Sequence, residues 1–220
     1  MPSSYPTTIP VAIELAWKLQ PMTVLDLGCG YGKYGTLFRE YLGLRHRDVL
    51  NGDCAQGSYD DLRDGHVRID AVEGWAPYVG ELHNIVYDNV YIENIVEFCQ
   101  RPWQVEYDLA FLCDVVEHIE RPAGRALLET VAQRARMGVF VSLPYHDTEQ
   151  GSVFGNTLET HQSHWRCREF RALAPFVKVG RKGGSLMAFL TRNRACYHTV
   201  CGSAFRRKLR LVRDAFCDTW

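Results

Sequence analysis

Hydrophobic and polar positions along the chain change period repeatedly, and each change marks an element. Val11 to Leu19 repeats at helical spacing, opened by Pro10 and closed by Pro21. Thr23-Val24-Leu25-Asp26-Leu27 is a short apolar run that breaks into glycines, the pattern of a buried strand followed by a turn. Lys33 to Leu42 predicts a helix with Tyr34, Leu37, Phe38 and Tyr41 on one face. Residues 43–66 are polar and charged and read as a surface insertion. The apolar signal resumes at Val67 to Val72, a second strand ending at Glu73, followed by a short helix near Pro77 to His83. Val90 to Ile92 is a third strand. Tyr107 to Cys113 is a fourth, so uniformly apolar that both its faces should be buried.

The second half continues in the same way. Arg121 to Arg134 is a helix with Pro122 in its first turn, where proline is tolerated. Val139 to Leu143 is a fifth strand. A polar loop over 144–164 has a length usually kept for function. A helix over 167–174 and strands near 176–180 and 185–191 complete the series. Strands alternating with helices predict one α/β domain, with a mainly parallel seven-stranded sheet and helices on both faces. It spans residues 23–191, behind a helical segment at 1–22 and before a tail at 192–220. In that tail Phe205, Leu209, Val212 and Phe216 recur at helical spacing between basic residues. Ligands of such a sheet bind at the carboxyl ends of the strands, where strand order reverses.

Composition narrows the class. With 220 residues and a net charge of −1, the chain is one domain without the basic excess of a large nucleic-acid footprint. No run is apolar enough for a membrane span or a signal peptide. The eight cysteines form no C-x-x-C pair, which suits reduced thiols in the cytoplasm, and Cys196, His198 and Cys201 match no common zinc spacing.

The glycines after strand one carry the chemistry. Leu27 and Tyr34 stand where a P-loop needs its first glycine and its Ser or Thr, so a nucleotide triphosphate does not fit. Gly30-x-Gly32-x-x-Gly35 matches a dinucleotide turn, but the acidic residue should then follow about 20 residues on, and Glu73 comes much later. The third ligand is S-adenosylmethionine. Asp26 at the strand end can meet its ammonium group, Gly28, Cys29, Gly30 and Gly32 can pass close to its amino-acid portion and ribose, and Glu73 can accept the ribose hydroxyls.

Val24 to Gly35 resembles motif I of the Rossmann-like (class I) S-adenosylmethionine-dependent methyltransferases. Glu73 matches that family's acid after strand two, and Asn94 stands where many members have Asp near the adenine. Asp114-Val115-Val116-Glu117-His118 looks like the segment after strand four, and Val141 to Pro144 like strand five. GKYG at 32–35, Pro77-Tyr78, Tyr87-Asp88 and Glu159 to Trp165 are similar to bacterial and phage-type members of unassigned substrate. The resemblance implies a methyltransferase with S-adenosylmethionine as cofactor, held through Asp26, Gly28, Cys29, Gly30, Gly32, Glu73, Asn94 and Asp114.

On the acceptor side, Asp114, Glu117 and His118 would share one face if a helical turn begins there. They could then hold a divalent cation, as the resemblance to some ubiquinone-pathway and small-RNA ribose methyltransferases implies. In a structural reading Asp114 faces the cofactor and Glu117 caps the next helix. In a third reading His118 removes a proton without metal, its ordinary pKa being ~6.5. No metal is assigned. His161, from the loop after strand five, is expected to join these three around the acceptor, a small polar metabolite or a glycan hydroxyl.

Overall fold

The computed structural model describes residues 4–45 and 67–202. The greater part of the polar insertion and the basic stretch 203–217 lie outside the described residues. Helix α1 (Thr8–Leu19) leads into β1 (Thr23–Leu27), the glycine turn and α2 (Lys33–Arg45). Next come β2 (Arg68–Glu73), α3 (Glu81–Val86), β3 (Asn89–Ile92), α4 (Ile95–Gln100) and β4 (Leu109–Cys113). The chain continues through α5 (Arg121–Arg134), β5 (Gly138–Pro144), α6 (Cys167–Phe170), β6 (Phe176–Lys182), β7 (Ser185–Thr191) and α7 (Arg194–Cys201).

The strands form one seven-stranded sheet in the order β3-β2-β1-β4-β5-β7-β6. β1 to β5 run parallel, and β7 is inserted antiparallel between β5 and β6. Strand order reverses at β1 and β4, which pair side by side with Asp26 opposite Phe111. The crevice above their carboxyl ends is where this architecture places a ligand.

Two apolar layers sandwich the sheet. On one face Leu15 of α1, Phe38 of α2, Val86 of α3 and Val200 of α7 pack on Val24, Ile69, Phe111 and Phe140. On the other, Phe98 of α4, Leu127, Leu128 and Val131 of α5 and Phe170 of α6 pack on Leu25, Leu112 and Val141. β4 and β7 are buried at every position, as strands covered on both faces should be.

The sequence boundaries need some corrections. Helix α1 starts at Thr8, ahead of Pro10, because proline fits a first turn whose N–H groups have no intrahelical partner. The helix expected near Pro77 to His83 is two pieces, a 3₁₀ turn at Ala76–Tyr78 and α3, parted where Val79 and Gly80 are extended. Helix α4 was not expected. Its signal is Asn94, whose Oδ1 accepts from the Val96 and Glu97 N–H groups and starts the helix.

Candidate active site

Gly28 begins the turn with φ at 79°, and a Cβ there would stand 2.5 Å from Val115 Cγ2. Only glycine fits, because the backbone is left-handed and the segment after β4 closes directly over it. The turn is fixed from three sides. Gly28 N–H donates to Val72 O at 2.8 Å. Gly30 N–H donates to Glu73 Oε2 at 2.9 Å, and Trp75 N–H to Glu73 Oε1 at 2.8 Å. The buried His83 ring accepts from Gly80 N–H at Nδ1 (3.1 Å) and donates from Nε2 to Gly30 O (2.9 Å), which fixes its neutral tautomer.

Asp26 is not where the sequence reading put it. It lies beneath the turn, outside the cavity lining, where the Tyr87 hydroxyl donates to Oδ2 at 2.6 Å. Burial pushes its carboxyl up to about 7; the Tyr87 bond opposes that and the nearby Glu73 adds to it. The same Tyr87 hydroxyl accepts from Gly35 N–H at 3.1 Å. Gly35 leaves room for this ring: a Cβ there would stand 2.2 Å from Tyr87 Cζ. The last glycine of the turn thus serves a tyrosine from the α3–β3 connection.

Above the turn is a cavity of about 300 Å³. Gly28, Cys29, Gly30, Glu73, Asn94, Asp114 and His118 line it; Gly32, Glu117 and His161 do not. Asn94 joins the lining while its Oδ1 is engaged in starting α4. Burial raises the Glu73 carboxyl against the backbone bonds that hold it. Leu158 Cδ1 would stand 2.7 Å from a Cβ at Gly74, and Tyr78 donates to Glu159 Oε1 at 3.0 Å. The loop after β5 therefore closes over the segment that follows β2.

The shared helical face expected of Asp114, Glu117 and His118 does not form. Asp114 has φ at 57° and its N–H donates to Ser142 O at 2.8 Å, so the chain leaves β4 in a kink. Only Val116–His118 make a 3₁₀ turn. Glu117 does not cap α5 either: its carboxylate is buried with no hydrogen-bond partner among the described residues. Burial and the Asp114 charge push it well above the carboxylate range. Asp114 is also raised by burial, with Ser4 and Lys33 nearby to oppose the rise, and neither of its oxygens meets full hydrogen-bond geometry with a partner among the described residues.

His118 and His161 do come together, with ring centroids 4.8 Å apart. Burial and His161 lower the His118 pKa, and its Nδ1 is buried without a partner among the described residues. His161 Nδ1 donates to Thr148 O at 2.5 Å, leaving the lone pair on Nε2. One ligand atom each from Glu117, His118 and His161 lies within 4.8 Å of the others, a donor set that fits a divalent cation. Ser163 and Trp165 brace this corner: Trp165 Nε1 donates to Ser163 Oγ at 2.9 Å, and Ser163 Oγ donates to Ile119 O at 2.7 Å. His164 is exposed beside Asp147.

This sheet order is that of the class I methyltransferase fold, and the solved structures that this chain resembles include methyltransferases. DhpI in complex with SAH superposes with a TM-score of 0.55 at 18% identity, over 83% of each chain. The bifunctional kinase-methyltransferase WbdD gives 0.55 at 16%, over 87% of this chain and 40% of that one. An O-methyltransferase family protein from Burkholderia thailandensis gives 0.52 at 14%, over 85% and 55%. At these identities the likeness is one of fold. No family model matches the sequence, and no curated protein aligns with it. No described helix is long and apolar enough to cross a membrane.

Proposed function

We propose that the protein is an S-adenosylmethionine-dependent methyltransferase acting on a hydroxyl of a small polar acceptor, a metabolite or a glycan. The observation that carries this reading is the cavity at the β1/β4 switch point, with the glycine turn as its floor and Glu73 at the tip of β2. The cofactor supplies a methyl group on a positively charged sulfur. Gly28 and Gly30 bring backbone close to it, while Glu73 and Asn94 offer polar groups on the adenosine side. Asp26 supports the turn from below through Tyr87. Leu158 and Glu159 wall the cavity from the side of Gly74 and Tyr78.

Asp114 and His118 face the acceptor, with Glu117 and His161 behind them. His118 is the group that takes the acceptor proton. Its lowered pKa keeps the ring neutral near pH 7, and Nδ1 is not spent on a protein partner. Calorimetry tests the reading at its root. S-adenosylhomocysteine should bind, and Glu73→Ala should weaken it; no binding, or equal binding by the variant, refutes the proposal. A screen of acceptor classes for cofactor turnover separates an enzyme from a binding protein that kept the fold. His118→Ala should then lower turnover by roughly 10²–10⁴-fold at nearly unchanged cofactor affinity.

A second reading is favoured by the Glu117, His118 and His161 cluster. These residues would hold a divalent cation, which would take up the charge that leaves Glu117 raised and polarise the acceptor hydroxyl. Manganese titrated by calorimetry should then bind the wild type and not Glu117→Gln, and chelator should abolish turnover. An RNA acceptor would appear as salt-sensitive binding lost on neutralising Arg206, Arg207, Lys208 and Arg210.

A further inference from the structure

The cavity and its outer rim differ in charge. Glu73, Asp114, Glu120 and Glu159 line the cavity against one lysine, Lys33. A negatively charged part of an acceptor is repelled from such a lining and has to rest outside it. The rim on the acceptor side can be traced by contact. His118 stacks with His161, whose Nδ1 donates to Thr148 O. Thr148 belongs to the segment that leaves β5 at Tyr145. The Tyr145 N–H donates to Gly184 O at 2.8 Å in the β6–β7 turn. A Cβ at Gly184 would stand 3.2 Å from the Tyr5 ring, and Tyr5 is the neighbour of Ser4 in the cavity lining.

Arg181 of β6 sits on this rim, exposed, with its guanidinium carbon 4.4 Å from the Tyr145 ring centroid. It meets no carboxylate and no carbonyl among the described residues. The nearby Arg166 is already spent, two of its nitrogens holding the two oxygens of Asp147 at 2.8 Å each. His146 stands edge-on to Tyr145 with ring centroids 5.1 Å apart. A guanidinium seated over a ring uses its face there and keeps the N–H fork at its edge, the part that matches a carboxylate or a phosphate bidentately. We propose that the acceptor carries an anionic group, a carboxylate or a phosphate, and that Arg181, seated on Tyr145, holds it while the hydroxyl is presented to His118. This assignment rests on the acceptor reading above and narrows it from polar to anionic.

The test reads the Arg181 side chain directly. Its Nε–H resonance, identified as the one missing from Arg181→Met, is followed as inorganic phosphate, acetate or glucose is added with S-adenosylhomocysteine present. The anions should shift it saturably and glucose should not. A response to phosphate alone assigns a phosphorylated acceptor, to acetate alone a carboxylate, and to both an anion of either kind. Tyr145→Leu, which removes the platform, should weaken the response by about 2- to 5-fold. With any acceptor found by cofactor turnover, Arg181→Met should raise KM by about 10- to 100-fold, the range of a charge-assisted hydrogen bond, and leave kcat and S-adenosylhomocysteine affinity within about twofold. No saturable shift with either anion, an equal shift with glucose, or an unchanged KM in Arg181→Met overturns the assignment while leaving the cofactor reading intact. A protein that answers the anions and binds no S-adenosylhomocysteine overturns the methyltransferase reading instead and leaves Arg181 as an anion site.

Discussion

Asp26 offers the sharpest test of how the glycine turn is supported. Its carboxyl titrates at about 7 in the fold against 3.8 when unburied. Below 3.8 it is protonated in both the folded and unfolded chain. Between the two values the native carboxyl keeps a proton the unfolded chain has released, so the stability it contributes is lost as pH rises through that window. Above about 7 the folded protein carries a desolvated carboxylate held by one Tyr87 hydroxyl. At 1.36 kcal/mol per pH unit the full penalty is about 4 kcal/mol, an upper figure because part of the rise comes from the charge of the nearby Glu73. Asp26→Asn removes the charge and keeps an oxygen for Tyr87, while its new amide N–H₂ lacks an assured partner, at about 1–2 kcal/mol. The variant should therefore be more stable than wild type by about 1–3 kcal/mol at pH 8, and equal or slightly less stable at pH 4. Urea unfolding from pH 4 to 9 measures this, and the difference between the proteins cancels the other titrating groups. A difference that does not change with pH would refute the account.

Gly35→Ala should cost about 1–3 kcal/mol in urea unfolding, because the new methyl collides with the Tyr87 ring; in a Tyr87→Leu background the same substitution should cost much less. Ser163→Ala strips Trp165 Nε1 of its acceptor and the Ile119 carbonyl of a donor, and should destabilise by about 1–3 kcal/mol in the same assay.

Local patterns were the legible part of the fold. The apolar run that breaks into glycines placed β1, the uniformly apolar run β4, and the helical spacing behind Pro122 α5. Helix α4 escaped because six residues hold too little periodicity, although Asn94 marked its start. The glycine turn itself was legible because a close backbone approach needs particular residue types at fixed spacing, and Glu73 because an acid ends β2 beside it. Asp26 was misplaced because strand position says which residue ends β1 and not whether its side chain turns up into the crevice or down toward Tyr87. His83 was missed for a related reason, and Tyr87 stood out only as part of the Tyr87-Asp88 pair, with no role attached. They reach their partners in the turn and in β1 from 53 and 61 residues away, and the only local signal of His83 is a polar residue on a short helix. The helical face at 114–118 failed because the left-handed Asp114 cannot be read from spacing.

The two ends of the sheet treat buried polar groups in opposite ways. At the amino ends most are satisfied, Trp103 Nε1 being the exception among the described residues. Asp108 accepts from the Met22 and Thr23 N–H groups and from Arg136. Arg39 donates to the Val86 and Val67 carbonyls and to Asp88, and Asp70 accepts from Tyr107 and Asn89. At the carboxyl ends of β1, β4 and β5, Tyr34, Asp114, Glu117, His118 and Ser142 keep buried polar atoms without partners among the described residues. An unsatisfied buried group costs about 1–3 kcal/mol, so five of them on one edge outweigh any single core contact. A fold carries such a cost where something outside the chain relieves it. The satisfied end is scaffold, and the unsatisfied end is the face on which the cofactor, the acceptor and any cation would supply the missing charges and hydrogen bonds.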